Sequence, residues 1–271
     1  MDGSIARSGE DRLIARYFAP IAGPAGLALK DDAALLTPQG RFLNDMFVVD
    51  AGFGTLLLET EREKAPALAR KLGMYKLRSK VTVEDRSATM DVAVVFGPGA
   101  EKHNAVPGAL SYIDPRLPEL GVRVLTPAGQ AGKMLGLPEA PLADYESLRL
   151  SLGVPDGSRD LPVEKALLLE SGFDELNGVD WKKGCYMGQE LTARTKYRGL
   201  VKKRLFPVKV EGALPAPGTA IERNGEEVGE IRSGAGNRAL AMLRLEALEG
   251  ALTAGGARIV PQKPDWMKLP D

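Results

Sequence analysis

Lys182-Lys183-Gly184-Cys185-Tyr186-Met187-Gly188-Gln189-Glu190 contains the only cysteine of the 271-residue chain. Thiolate, not thiol, is the nucleophilic and metal-binding form of cysteine, and nearby cations favour it. Two lysines stand just before this sulfur. Glycines on either side open turn geometries closed to other residues and allow close approach by another group. The residue types leave two readings open. Cys185 is either a buried thiol acting as a small apolar side chain, or a reactive thiolate on a turn. Lys-Lys-Gly and Tyr-Met-Gly-Gln-Glu rarely line a core, which favours the second.

Working outward, residues 33–37 and 41–50 read as apolar strands joined by the turn Pro38-Gln39-Gly40, with 54–59 as a third strand. Ala65, Leu68, Ala69 and Leu72 keep the i, i+3, i+4, i+7 spacing of one buried helix face, with Pro66 confined to the first turn. Residues 80–84 alternate as a half-exposed strand, 91–96 form a more buried one, and 122–125 a further short one. Tyr145, Leu148 and Leu152 mark a helix closed by Gly153, with Pro155 soon after. Residues 161–171 read as another short helix.

Past Arg198-Gly199 the texture changes. Phe206, Val208 and Val210 alternate, and short strands at 219–222, 227–233, 239–245 and 257–260 follow with glycine-bearing connections, the spacing of a small β-barrel. The predicted organisation is an atypical N-terminal segment (1–32), an α+β domain (33–198) and a C-terminal barrel (199–271).

Composition removes several functions. Lys+Arg and Asp+Glu balance at 36 each, so no bulk charge calls for a nucleic acid or an anionic membrane. No apolar run reaches the length of a membrane span. Residues 1–7 lack the apolar stretch of a secretory signal, and one cysteine gives no intrachain disulfide, so a cytoplasmic home is expected. The single histidine, His103, sits in a Gly-Pro-Gly-bearing turn and reads as a solvated residue rather than a base. A lone cysteine cannot hold an iron–sulfur cluster unaided. Neither a phosphate-binding loop nor a dinucleotide fingerprint is present: Gly129-Gln130-Ala131-Gly132-Lys133-Met134 has the wrong spacing for the first, and Phe96-Gly97-Pro98-Gly99 opens no glycine-patterned helix for the second.

Lys183-Gly184-Cys185-Tyr186-Met187-Gly188-Gln189-Glu190, Leu191-Thr192-Ala193-Arg194, Gly199 and Lys203-Arg204-Leu205 together resemble the signature of the YgfZ/IBA57 family, folate-binding relatives of the glycine-cleavage aminomethyltransferase that support iron–sulfur protein maturation. Leu35-Leu36-Thr37-Pro38-Gln39-Gly40, Leu77-Arg78-Ser79-Lys80-Val81, Gly153-Val154-Pro155 and Leu161-Pro162-Val163-Glu164 agree with it. The resemblance implies a ring of α+β subdomains with a C-terminal β-barrel and tetrahydrofolate in a central opening. It implies Cys185 as the reactive or cluster-contacting thiolate and Lys183, with Lys182, as its positive field. Tyr145 falls at the pterin-side aromatic and Asp45 near the aminomethyltransferases' catalytic carboxylate. Arg149, Gln189, Glu190 and Arg194 complete the folate-side set, the last three also fixing the cysteine loop. Implied partners are iron–sulfur assembly or client proteins, with tRNA modification affected through such enzymes. A bacterial cytoplasm or a mitochondrial matrix is the implied location, with no nucleic acid and no membrane as direct partner.

Two departures bear on function. Aminomethyltransferases carry a glutamate shortly before the glycine of this region, where Leu150-Ser151-Leu152-Gly153 offers only Ser151. Loss of a charge-assisted pair argues against the alternative reading, a tetrahydrofolate-dependent aminomethyl or one-carbon transferase. Residues 1–33 instead resemble the N-terminus of thiamine-monophosphate kinase, whose paired aspartates hold magnesium. Asp31 and Asp32 are read here as a solvated turn.

Overall fold

The computed structural model describes residues 4–7, 12–18 and 30–269. Its contacts divide the chain into two compact units. The first holds the described residues up to Ala34 together with Asn44–Leu142; the second holds Leu35–Leu43 and everything described from Ala143 onward.

The first unit is built on two five-stranded sheets. Strands β1 (Ser4–Arg7) and β2 (Arg12–Phe18) enter different sheets. They are followed by β3 (Lys30–Leu36), β4 (Phe42–Gly52), β5 (Thr55–Glu61), helix α1 (Ala65–Tyr75) and β6 (Val83–Asp85). One sheet runs β3-β4-β5-β2-β6. The segment 1–32, to which the sequence reading gave no elements, thus supplies β2, which pairs along all of Arg12–Phe18 with β5. Asp32 is buried within β3 rather than standing in a solvated turn, because the strand carries its side chain inward. The side chain of Asp31 lies outside the described set. No group of His, Cys, Asp and Glu suited to a metal occurs among the described residues.

The other sheet uses β7 (Met90–Phe96), β8 (Leu110–Ile113), β9 (Val122–Pro127) and β10 (Glu139–Ala140) in the order β10-β1-β7-β9-β8, with the short helix α2 (Ala131–Leu135) after β9. Phe47, Val49 and Leu57 pack with Val92, Tyr112 and Leu125. Beside them lies a buried ionic network. Tyr112 donates to Glu59 at 2.7 Å, Arg123 clamps the same carboxylate, and Asp114 takes Arg116 at 2.8 Å. Burial pushes the Asp114 carboxyl up, but the Arg116 and Arg123 guanidiniums outweigh it and hold it below its ordinary range. His103 ends a 3₁₀ turn (Ala100–His103) and is half-buried, less solvated than its glycine-rich setting suggests.

The second unit contains helices α3 (Leu142–Leu152), α4 (Gly157–Asp160) and α5 (Gln189–Tyr197), then strands β11 (Lys203–Glu211), β12 (Ala220–Arg223), β13 (Glu226–Ala235), β14 (Arg238–Arg244), β15 (Leu252–Ala254) and β16 (Ala257–Pro261). The six strands close into a barrel ordered β11-β14-β13-β12-β15-β16 around a core that includes Phe206, Val208, Ile221, Ile231 and Leu243. α3 ends where the pattern places it, at Gly153 with φ +76°. A Cβ there would meet the Pro207 ring at 2.9 Å, so the glycine also seats α3 on the barrel.

Residues 161–171 do not form a helix beyond a 3₁₀ turn at Leu169–Ser171. Their backbone is committed elsewhere: Glu164 N–H donates to Phe42 O at 2.7 Å, and Phe42 N–H to Ala166 O at 3.0 Å. Tertiary pairing has overridden a weak local preference.

Candidate functional site

The cysteine loop is held by two sets of contacts, both within the second unit. The β3–β4 turn is closed by Gly40 N–H donating to Thr37 O at 2.8 Å, and it packs backbone against backbone on the start of α5. A Cβ on Gly188 would lie 2.6 Å from Gly40 Cα; one on Gly40 would lie 2.8 Å from Gly188 O. Both glycines have positive φ, +83° and +74°. Two turns far apart in sequence therefore require glycine for the same contact.

Below the loop, Asp174 acts as a clamp. Its Oδ1 accepts the Trp181 indole N–H at 2.6 Å, and its Oδ2 accepts Lys196 Nζ at 2.8 Å. Lys196 also lies 4.1 Å from the Trp181 ring centroid, and Tyr197 meets Trp181 edge-on at 6.2 Å. One carboxylate thus ties the residue entering the loop to the helix leaving it. Asp174, Lys196 and Tyr197 were not singled out by the sequence. The signal was there only in the tryptophan four residues before the cysteine.

Cys185 itself is free and exposed, which excludes the buried-thiol reading. Gly184 before it has φ +92°, and an added Cβ would meet nothing within 4 Å beyond its chain neighbours, so it serves conformation rather than space. Lys182 and Lys183 are exposed, and Lys183 Nζ sits 5.0 Å from the Tyr186 ring centroid. Tyr186 is half-buried; burial raises its phenol pKa, with the Thr192 hydroxyl pulling the other way. Gln189 opens α5 half-buried, its N–H donating to Tyr186 O at 3.2 Å, while Glu190 and Arg194 are exposed on the helix. A cleft of about 450 Å³ adjoins the clamp, lined by Asp174, Glu175, Lys196, Arg204 and Lys268 among others. Neither Cys185 nor Tyr145 lines it.

These features set the chain against known proteins. A family model for the CAF17 C-terminal beta-barrel domain matches residues 202–269. The mouse (Mus musculus) mitochondrial iron-sulfur cluster assembly factor IBA57 is 38% identical over 282 residues, covering 91% of this chain and 76% of the relative. The human (Homo sapiens) protein of the same name is also 38% identical, over 92% of this chain and 74% of the relative. The chain belongs to the IBA57 family. Among solved structures, the glycine cleavage system aminomethyltransferase T of Bartonella henselae superposes with a TM-score of 0.76 at 14% identity, covering 98% of this chain and 86% of that one. The fold is aminomethyltransferase-like, α+β with a closed C-terminal barrel.

In this IBA57-family chain the residues that the resemblance set beside folate belong to different units, Asp45 to the first and the others to the second. Tyr145 is on α3 with 8% of its surface accessible. Arg149, 1% exposed, is wholly engaged by protein. Its Nε and Nη2 bond Glu146 at 3.3 and 3.0 Å, Nη1 bonds Val154 O and Asp160 at 2.8 Å each, and Nη2 also reaches Ser233 on β13 at 3.1 Å. A guanidinium has five N–H donors, and these acceptors use them, leaving none for a ligand. The Ser151 hydroxyl donates back to Leu148 O at 2.7 Å. Asp45 belongs to the first unit, half-buried on β4, where its carbonyl accepts from Asn44 and Thr60. No helix among the described residues is long and apolar enough to cross a membrane.

Proposed function

We propose that this chain is a tetrahydrofolate-binding accessory factor for the assembly or repair of iron–sulfur proteins of the [4Fe–4S] type, with Cys185 as the thiolate that meets the cluster or its carrier. The observation that carries this reading is the exposure of Cys185 on a loop fixed by the Gly40–Gly188 contact and the Asp174 clamp. Solvent-accessible thiols beside cations are the reactive ones. A single thiol needs ligands from another protein to complete a cluster site, so the partner is an assembly or client protein. The names of the mouse and human relatives agree.

Tetrahydrofolate, when bound, supplies a carrier for one-carbon units. Arg149 is spent on Glu146, Asp160 and Ser233, so the second unit's residues left to hold the folate are Tyr145, Gln189, Glu190 and Arg194. An exposed arginine suits a glutamyl carboxylate, and a tyrosine suits an aromatic ring system. Transferase chemistry is disfavoured by Ser151, whose hydroxyl is already turned back onto its own helix. The reading places the protein in a bacterial cytoplasm or a mitochondrial matrix; the names of the mouse and human relatives say mitochondrial.

The test is expression of the chain in a strain lacking its own factor of this family. Recovery of aconitase-type [4Fe–4S] enzyme activities, with [2Fe–2S] enzymes unaffected, is expected. No recovery of any cluster enzyme despite normal protein levels would overturn the reading.

A further inference from the structure

We propose that one end of the first unit's β3-β4-β5-β2-β6 sheet docks on an anionic lipid bilayer. The inference concerns the unit that does not carry Cys185 and stands apart from the cluster reading. It begins with the turn between β4 and β5. Gly52 pairs with Thr55, so Phe53-Gly54 is a two-residue loop, and both residues have positive φ, +51° and +72°. That is the type I′ pattern, which favours Asn-Gly. The barrel has such a loop at Asn224-Gly225, φ +54° and +81°, between β12 and β13. Phe53 is therefore a bulky residue in a conformation that bulky residues avoid, and its side chain is fully exposed. The other strongly exposed apolar residue at positive φ among the described residues is Leu77, φ +48° and 85% exposed. Met74 and Tyr75 beside it are also exposed.

Register brings the two segments to one end of the sheet. Tyr17 of β2 is flanked by Leu56 of β5 and Val83 of β6, and Phe18 is level with Thr55. The Phe53 turn and the chain leading into Val83 thus leave the sheet together, two strand spacings or about 10 Å apart. Between residues 65 and 83 the sequence holds Arg70, Lys71, Lys76, Arg78 and Lys80 and no Asp or Glu. The balanced charge of the whole chain conceals this local excess of five. Lys76 donates to Val81 O at 3.2 Å. Among the described residues, three carboxylates near in sequence are engaged: Asp50 accepts Gly52 N–H at 2.7 Å, Asp85 accepts from Ser87, and Glu84 lies 3.7 Å from Arg86. Glu84 and Asp85 also sit farther along β6, away from that end.

The occupant must be anionic to match these cations and must offer an apolar phase for Phe53, Met74 and Leu77. A nucleic acid gives bases for aromatic stacking but no apolar medium for leucine and methionine. An anionic bilayer supplies both, headgroups for the lysines and arginines and acyl chains for the tips.

The full chain is sedimented with vesicles of pure phosphatidylcholine and of phosphatidylcholine mixed with phosphatidylserine. Pelleting is expected only with the mixed vesicles, falling steeply with salt. Phe53→Asn creates the favoured Asn-Gly turn, so it should raise the thermal midpoint while weakening vesicle binding about tenfold. Replacing Lys71, Arg78 and Lys80 with Gln should weaken binding about fivefold per cation. Equal pelleting with neutral vesicles, no pelleting, unchanged binding by these variants, or binding of an oligonucleotide in place of the vesicles would each overturn the proposal.

Discussion

Gly188 and Gly40 show how a motif residue can be fixed by a partner it never meets in sequence. The 2.6 Å approach of a hypothetical Gly188 Cβ to Gly40 Cα leaves the backbone no side chain to move aside. Gly188→Ala should therefore destabilise the protein by about 2–4 kcal/mol, combining overpacking with an unfavourable positive φ. Urea unfolding measures it, and a loss under about 1 kcal/mol would show the contact to be soft. Gly184 has no such neighbour, so alanine there should cost only the smaller conformational penalty, about 1 kcal/mol. The sequence made the need for glycine at both positions legible. It could not show that the two glycines serve different ends, because only the fold brings residue 40 to residue 188.

Among the elements, α3 is held by Arg149, which joins it to α4 and β13 through Asp160 and Ser233. Removing this arginine leaves the buried Asp160 without its counter-charge, and Arg149→Met should cost about 3–5 kcal/mol. The same network makes stability depend on acid. Burial raises the Glu146 carboxyl, but the Arg149 and Arg159 guanidiniums outweigh it and hold the group below its ordinary range. A carboxyl depressed in the folded state adds stability above its unfolded pKa, and that stability is lost as the pH falls through the folded value. The thermal midpoint should therefore drop on the acid side of the ordinary glutamate range, and Glu146→Gln should flatten that part of the curve. The resemblance placed Arg149 beside folate; its position on a helix gave no sign that Val154, Asp160 and Ser233 would converge on it. At the cysteine loop, Asp174→Ala should cost only about 1 kcal/mol, since its ion pair with Lys196 is partly exposed. It should nonetheless shift Trp181 emission as the indole loses its acceptor.

At the scale of the whole molecule, strands with apolar runs or alternation between turn residues were the most legible part. β4, β5, β7, β11, β13 and β14 fall where their patterns put them. β15 escaped because Leu252-Thr253-Ala254 is too short to show a period. β2 escaped because Leu13-Ile14 and Tyr17-Phe18 keep no period-two alternation, and no local pattern announces its pairing with β5. The helix expected at 161–171 failed because β4 takes its backbone. Around the cysteine the residue types were readable and the scaffold was not, since Gly40 and Asp174 come from other parts of the chain. The Gly40–Gly188 contact and the Asp174 clamp hold a loop with one exposed sulfur, and its role is the central claim. In the strain rescued by the wild-type chain, Cys185→Ala is compared for [4Fe–4S] enzyme activity at equal protein level and equal thermal midpoint. The account predicts an intact fold with activity no higher than in the empty strain; full rescue by the alanine variant would contradict it.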